Sequence, residues 1–148
     1  MIALLQRVAR ARVEVDGVVT GQISRGLLIL LGVARGDTDQ DISRLVEKIR
    51  FLRVFPDDKG IPNLDILQAE GAVLCVSQFT LLADCSKGRR PGYAPAEEPT
   101  RAKELWERFC DDLAATGIPV GRGVFGADMQ VELVNDGPYT LHLDTRTP

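Results

Sequence analysis

The run Leu27-Leu28-Ile29-Leu30-Leu31, held between Gly26 and Gly32, leaves this chain few ways to fold. Five apolar residues without alternation make a strand that is covered on both faces or buried at an interface. A chain of 148 residues offers one core to cover it, burying roughly two-thirds of the unfolded surface. The charged residues, 26% of the chain, are ordinary for a soluble globular domain and argue against disorder. The apolar run is also far short of the roughly 20 residues that a membrane helix needs. Met1 to Leu5 leads directly into Gln6, Arg7, Arg10 and Arg12, which is not the order of a secretory signal. The expectation is a single domain over residues 1–148, in the cytoplasm, with the last few residues as a loose tail.

Around that run the pattern changes period. Residues 2–33 read as strands, with Ala11, Val13 and Val15 alternating against Arg12, Glu14 and Asp16, and Asp16-Gly17 as a hairpin signal. Thr38 with Asp41 three residues on opens a helix that carries Ile42, Leu45, Val46, Ile49 and Leu52 on one face. Pro56 to Gly60 forms a turn. Val73 to Val76 is a short buried strand that ends in Ser77 to Leu81. Gly88, Pro91, Gly92 and Pro95 mark residues 84–98 as a loop. Pro99 opens a second helix with Ala102, Leu105, Trp106, Phe109 and Leu113 on its inner face, stopped by Gly117-Ile118-Pro119. Alternation over Met129–Leu133 and again over Tyr139–Leu143, around Asn135 to Pro138, predicts a β-hairpin. Strands at both ends with two long helices between them give an α+β fold with a mainly antiparallel, barrel-like sheet.

Ordinary hydrolytic machinery is hard to assemble from these residues. Cys75, Cys85 and Cys110 have no zinc-site spacing, and Cys75 and Cys110 fall on apolar faces. The single histidine, His142, alternates with Leu141 and Leu143 and therefore points outward, away from any nucleophile it would serve. No carboxylate pair stands out. A net charge of −3 argues against nonspecific wrapping of nucleic acid, so an RNA partner would have to meet a local patch.

Several segments, in order, carry a likeness. They are Met1-Ile2-Ala3 opening into Gln6-Arg7-Val8, Gly26-Leu27 with Leu31-Gly32-Val33, Ser77-Gln78-Phe79-Thr80-Leu81, Gly88-Arg89-Arg90-Pro91, Gly126-Ala127-Asp128-Met129, and Asn135-Asp136-Gly137-Pro138-Tyr139-Thr140. Together they resemble the D-aminoacyl-tRNA deacylases, homodimeric enzymes that hydrolyse the ester between a D-amino acid and tRNA. The chain departs from that family's usual pattern at Gly92-Tyr93, where Ser-Phe or Asn-Phe is common, and at Tyr139, where a smaller residue is common. The first departure leaves the detail of that loop open.

The resemblance implies a site and a mechanism without metal or organic cofactor. Ser77 and Gln78 would bind the 3′-terminal adenosine and its aminoacyl ester, and the backbone N–H groups of Phe79 and Thr80 would stabilise charge on the ester carbonyl. Thr80 would position rather than attack, the ribose 2′-hydroxyl assisting water instead. The Gly137-Pro138 bond would be cis and would enter the partner's pocket in trans, its carbonyl oxygens excluding L side chains by collision. Glycine, which has no side chain, would escape exclusion, so glycyl-tRNA(Ala) would also be cleared. Arg7 would touch the substrate end or an interface. Lys87, Arg89 and Arg90 would meet acceptor-end phosphates or simply form a solvated cluster. DNA and membranes are not expected partners. Two rivals stand beside this reading: a noncatalytic dimer that binds a tRNA end or nucleotide, and an esterase that uses Thr80 itself.

Overall fold

Alternation and β-branching at the N-terminus produce a 14-residue strand, β1 (Ile2–Val15), in a computed structural model that describes residues 1–147. Asp16 and Gly17 take left-handed backbone angles, φ +50° and +77°, the pair of conformations that a tight two-residue hairpin turn needs. The chain then returns along one edge of β1 as β2 (Val18–Ile23) and β3 (Gly26–Gly32). Ala11 faces Ile23 and Val8 faces Gly26 in one unbroken register, so β2 and β3 are two parts of a single return path.

The two helices follow their sequence signals. In α1 (Asp39–Phe51) the Asp41 carboxylate accepts from the Thr38 N–H at 2.8 Å, and Ile42, Leu45, Val46 and Ile49 are buried. A small hairpin of β4 (Phe55–Pro56) and β5 (Pro62–Leu64) leads to β6 (Ala72–Ser77), which ends in a single 3-10 turn, Phe79–Leu82. In α2 (Pro99–Ala115) the Glu98 carboxylate caps the first turn by accepting from Arg101 N at 2.6 Å and Thr100 N at 3.2 Å.

The sheet is mixed. β1 pairs antiparallel with its neighbours, but β3 pairs parallel with β6, and β6 parallel with the three-residue β7 (Val120–Arg122). Parallel neighbours need long crossovers, and α1 and α2 are those crossovers. The sheet then nearly closes, because β2 comes back against β7: a β-carbon on Gly21 would lie 2.5 Å from the Arg122 carbonyl oxygen. Helices cover one face through Ile29, Ile49, Phe109 and Leu113, while Leu28, Val13, Leu74 and Val76 pack on the other. The apolar β3 therefore has both faces buried, as its sequence required.

One expectation is corrected. Residues 130–144 form one strand, β8 (Gln130–Asp144), not a hairpin, since both halves pair antiparallel with β1 in the same direction. Thr140 faces Gln6 and Asn135 faces Val8, so residues 136–139 loop out of a strand that continues beyond them. Turn-forming residues mark such an excursion just as they mark a reversal. Close to the C-terminus, Thr145 is buried, donates its N–H to Met1 O at 3.0 Å and accepts from the Met1 ammonium at 2.9 Å. Asp37 accepts from the same ammonium at 2.7 Å. The last expected tail residue, Pro148, lies outside the described residues.

Candidate active site

β6 delivers its C-terminal end to a cleft of about 630 Å³. Ser77, Gln78 and Phe79 line one wall, and the others come from the end of β3, the 93–99 segment, α2 and residues 125–131. The wall is fixed from below. Gln78 N donates to Leu31 O at 2.8 Å, and Gly32 lets the 3-10 turn settle onto β3, since a β-carbon there would be 2.5 Å from Leu82 Cδ2 and 2.9 Å from Gln78 O.

The first N–H groups of any helical turn lack an intrahelical acceptor. Those of Phe79 and Thr80 donate to no described backbone or side-chain acceptor, and both residues are exposed. Phe79 is also fixed by an edge-to-face contact with Tyr93, ring centroids 4.9 Å apart. The Thr80 hydroxyl has the Gln78 amide as its side-chain partner, with no histidine or carboxylate bonded to it among the described residues. His142 is exposed on β8 and Cys75 is wholly buried. Burial, with Cys110 beside it, pushes the Cys75 thiol well above its ordinary range, which removes it as a thiolate nucleophile.

Gly137 and Pro138 lie elsewhere on the same chain and do not line this cleft. Their peptide bond is cis, Gly137 has φ +141°, and neither residue is paired in the ladder. The excursion is clamped at its base. Asn135 Oδ1 accepts from Tyr139 N at 2.8 Å, and Asn135 Nδ2 donates to Thr140 Oγ1 at 2.9 Å. Arg7 reaches in from β1 with only 9% of its surface exposed. Its Nε donates to Asp136 O at 3.0 Å, its Nη1 to Val54 O at 2.6 Å, and its guanidinium lies 4.7 Å from the Tyr139 ring centre. Arg7 is thus engaged within its own chain, as the clamp of the loop.

Lys87, Arg89 and Arg90 are exposed on a finger closed by paired hydrogen bonds between Asp84 and Gly92, and none of them lines the cleft. Sequence reasoning missed Arg35, Trp106, Phe125 and Met129 as cleft residues. Trp106 has the helical spacing of a core residue, and it serves both purposes. The Gly126 to Met129 string carried part of the likeness and was the one available signal for that wall.

The model of the D-Tyr-tRNA(Tyr) deacylase family matches residues 4–144. Among relatives named D-aminoacyl-tRNA deacylase, that of Geobacter sulfurreducens is 53% identical over 147 residues, covering 99% of this chain and 97% of the relative. That of Anaeromyxobacter dehalogenans is 56% identical over 146 residues, covering 99% and 98%. A solved structure named c-Myc DNA Unwinding Element Binding Protein superposes with a TM-score of 0.93 at 38% identity, covering 98% of this chain and 99% of that one. A probable eukaryotic D-amino acid tRNA deacylase shares the fold with a TM-score of 0.81 at 19% identity, covering 96% and 97%.

Proposed function

From the premise that the chain belongs to the D-Tyr-tRNA(Tyr) deacylase family, we propose that it hydrolyses D-aminoacyl-tRNA at the β6 cleft, releasing free D-amino acid and tRNA. The observation that carries this reading is the unengaged N–H group of Phe79, which lines the cleft, beside that of Thr80 at the cleft's edge in sequence, where no side-chain nucleophile has a base. Such a site stabilises charge and leaves the attack to other groups.

In the proposed reaction the 3′-terminal adenosine and its ester lie along Ser77 and Gln78. Water, assisted by the neighbouring ribose 2′-hydroxyl, adds to the ester carbonyl. The oxygen that gains charge accepts hydrogen bonds from Phe79 N and Thr80 N. The carbon–oxygen bond to the ribose then breaks, and the proton released by water goes to the departing ribose oxygen. Gln78 orients the Thr80 hydroxyl, and Thr80 acts as a positioning residue.

Chirality is read by a second subunit. The loop does not line its own chain's cleft, and its unpaired, Arg7-clamped excursion suits insertion into the cleft of another copy in a homodimer. Carbonyl oxygens of Gly137 and Pro138 beside the substrate α-carbon would collide with an L side chain and leave a D side chain free. Exclusion of this kind rejects a hand without recognising a side chain, so glycyl-tRNA(Ala) is accepted too.

The test is ester loss from matched D-tyrosyl-, L-tyrosyl- and glycyl-tRNA, with and without EDTA. Loss of the D and glycyl esters with the L ester spared, unchanged by EDTA, is the expected result. Tight tRNA binding with no loss of any ester would replace the enzyme with a noncatalytic tRNA-end binder.

A further inference from the structure

Arg35 is the only lysine or arginine among the described residues that line the cleft. It lies three residues beyond β3 and is held through both its backbone and its side chain. Its backbone N–H donates to Pro95 O at 3.0 Å, its Nε donates to Ala96 O at 3.2 Å, and Ala34 bridges to Ala96. These bonds leave both terminal guanidinium nitrogens without an assigned partner, in an exposed residue with no carboxylate within 4.0 Å among the described residues.

The two cleft carboxylates are occupied differently. Glu98 caps α2, and Glu97 accepts from Glu98 N at 2.8 Å and Gly36 N at 3.4 Å. Both carboxylates are thus directed at backbone N–H groups, while the positive fork next to them is unspent. A planar guanidinium anchored through Nε presents its two terminal nitrogens side by side, the geometry that grips two oxygens of one phosphate.

We infer that Arg35 binds the phosphodiester on the 5′ side of the terminal nucleoside, registering the RNA end so that its ester reaches Phe79 and Thr80. The inference rests on the deacylase reading, and it assigns to one cleft residue the contact nearest the chemistry. Lys87, Arg89 and Arg90 project from a separate finger outside the cleft and cannot substitute for it there.

The test compares two small substrates, the D-tyrosyl ester of adenosine and the D-tyrosyl ester of adenosine 5′-monophosphate. Arg35→Ala and Arg35→Gln, the second keeping a neutral donor for Ala96 O, should lose roughly tenfold in kcat/KM on the phosphorylated ester, mostly through KM, and much less on the other. Arg35→Lys should recover only part of that loss, since lysine keeps the charge but not the paired nitrogens. Added salt should lower kcat/KM on the phosphorylated ester for the unaltered protein, and less so for the Ala and Gln variants. Lys48→Ala, which removes a charge from the exposed side of α1, should change neither substrate. Equal losses on both esters would overturn the inference and reduce Arg35 to a brace for Ala96, and so would no loss on either. Failure of the unaltered protein to hydrolyse either ester or D-tyrosyl-tRNA would instead sink the deacylase reading, and this inference with it, whereas hydrolysis of D-tyrosyl-tRNA at the same rate with Arg35→Ala as without it would overturn this inference alone.

Discussion

A threonine hydroxyl becomes a nucleophile when a neighbouring base takes its proton. The partner of the Thr80 hydroxyl is the Gln78 amide, which donates to it and accepts nothing from it. Thr80→Ala should therefore stay within roughly tenfold of the unaltered kcat, whereas removing a true nucleophile costs about 10³-fold or more. Single-turnover decay of D-tyrosyl-tRNA separates the two, and a loss of the larger size would restore the Thr80 esterase. Gly137 presents the opposite case, a residue whose value lies in what it lacks. A β-carbon there would stand 3.0 Å from Tyr139 N and 3.2 Å from Arg7 Nη2, at a φ that L side chains rarely adopt. Gly137→Ala should shift the excursion by a few tenths of an ångström, with both neighbours already committed to the clamp. A filter that works by collision tolerates little displacement, so the D-over-L rate ratio should fall at least roughly tenfold. L-tyrosyl-tRNA hydrolysis that remains undetectable in this variant would remove the loop from chiral selection.

At the scale of elements, the site depends on β3 and the 3-10 turn meeting at Gly32. Gly32→Ala puts a methyl group into Leu82 and the Gln78 carbonyl, and the turn that aims the Phe79 and Thr80 N–H groups has to move. The expected outcome is a folded protein, its far-ultraviolet dichroism intact, with kcat/KM down by about 10²-fold. Activity within twofold of the original would mean that the turn's position is not critical. The helices were legible in the sequence because Thr38, Asp41 and Pro99 announce their starts and three-and-four spacing marks their buried faces. β3 was legible because its apolar run admits few environments. β7 was not, being three residues around a glycine. The excursion of β8 was misread as a hairpin because Asn135 to Pro138 has the same local chemistry in either case, and only the pairing partner decides. Ser77 to Leu81 stood out as a motif and its first three residues form a wall of the cleft, but Arg35 and Phe125 join them from distant segments, and no local pattern encodes that meeting.

For the molecule as a whole, β8 ends in a local ion pair, and acid should loosen it. Asp144 accepts from Arg146 through both carboxylate oxygens, at 2.9 and 2.7 Å, and the Arg146 side-chain bond lowers its pKa from 3.8 to about 2 against the opposing effect of burial. A depressed pKa stabilises the fold above 3.8 and loses that contribution as pH falls toward 2. Arg146 is 51% exposed, so solvent screening holds the contribution to about 1 kcal/mol or less. Asp144→Asn should be less stable than the original at pH 7 in urea, with the gap closing by about pH 2. A gap equal at both would assign the loss to packing instead. The larger question at this scale is which chain's loop guards which cleft, and the Gly32 and Gly137 variants answer it together. Gly137→Ala chains keep a working cleft behind a faulty filter, and Gly32→Ala chains keep a sound filter beside a damaged cleft. If the loop acts in trans, subunit exchange with excess Gly32→Ala chains places a sound loop in each working cleft. L-tyrosyl-tRNA hydrolysis then falls while D-tyrosyl-tRNA hydrolysis persists. If each loop served its own chain, the mixture would hydrolyse both esters in the same ratio as Gly137→Ala alone, and the homodimeric filter would have to be abandoned.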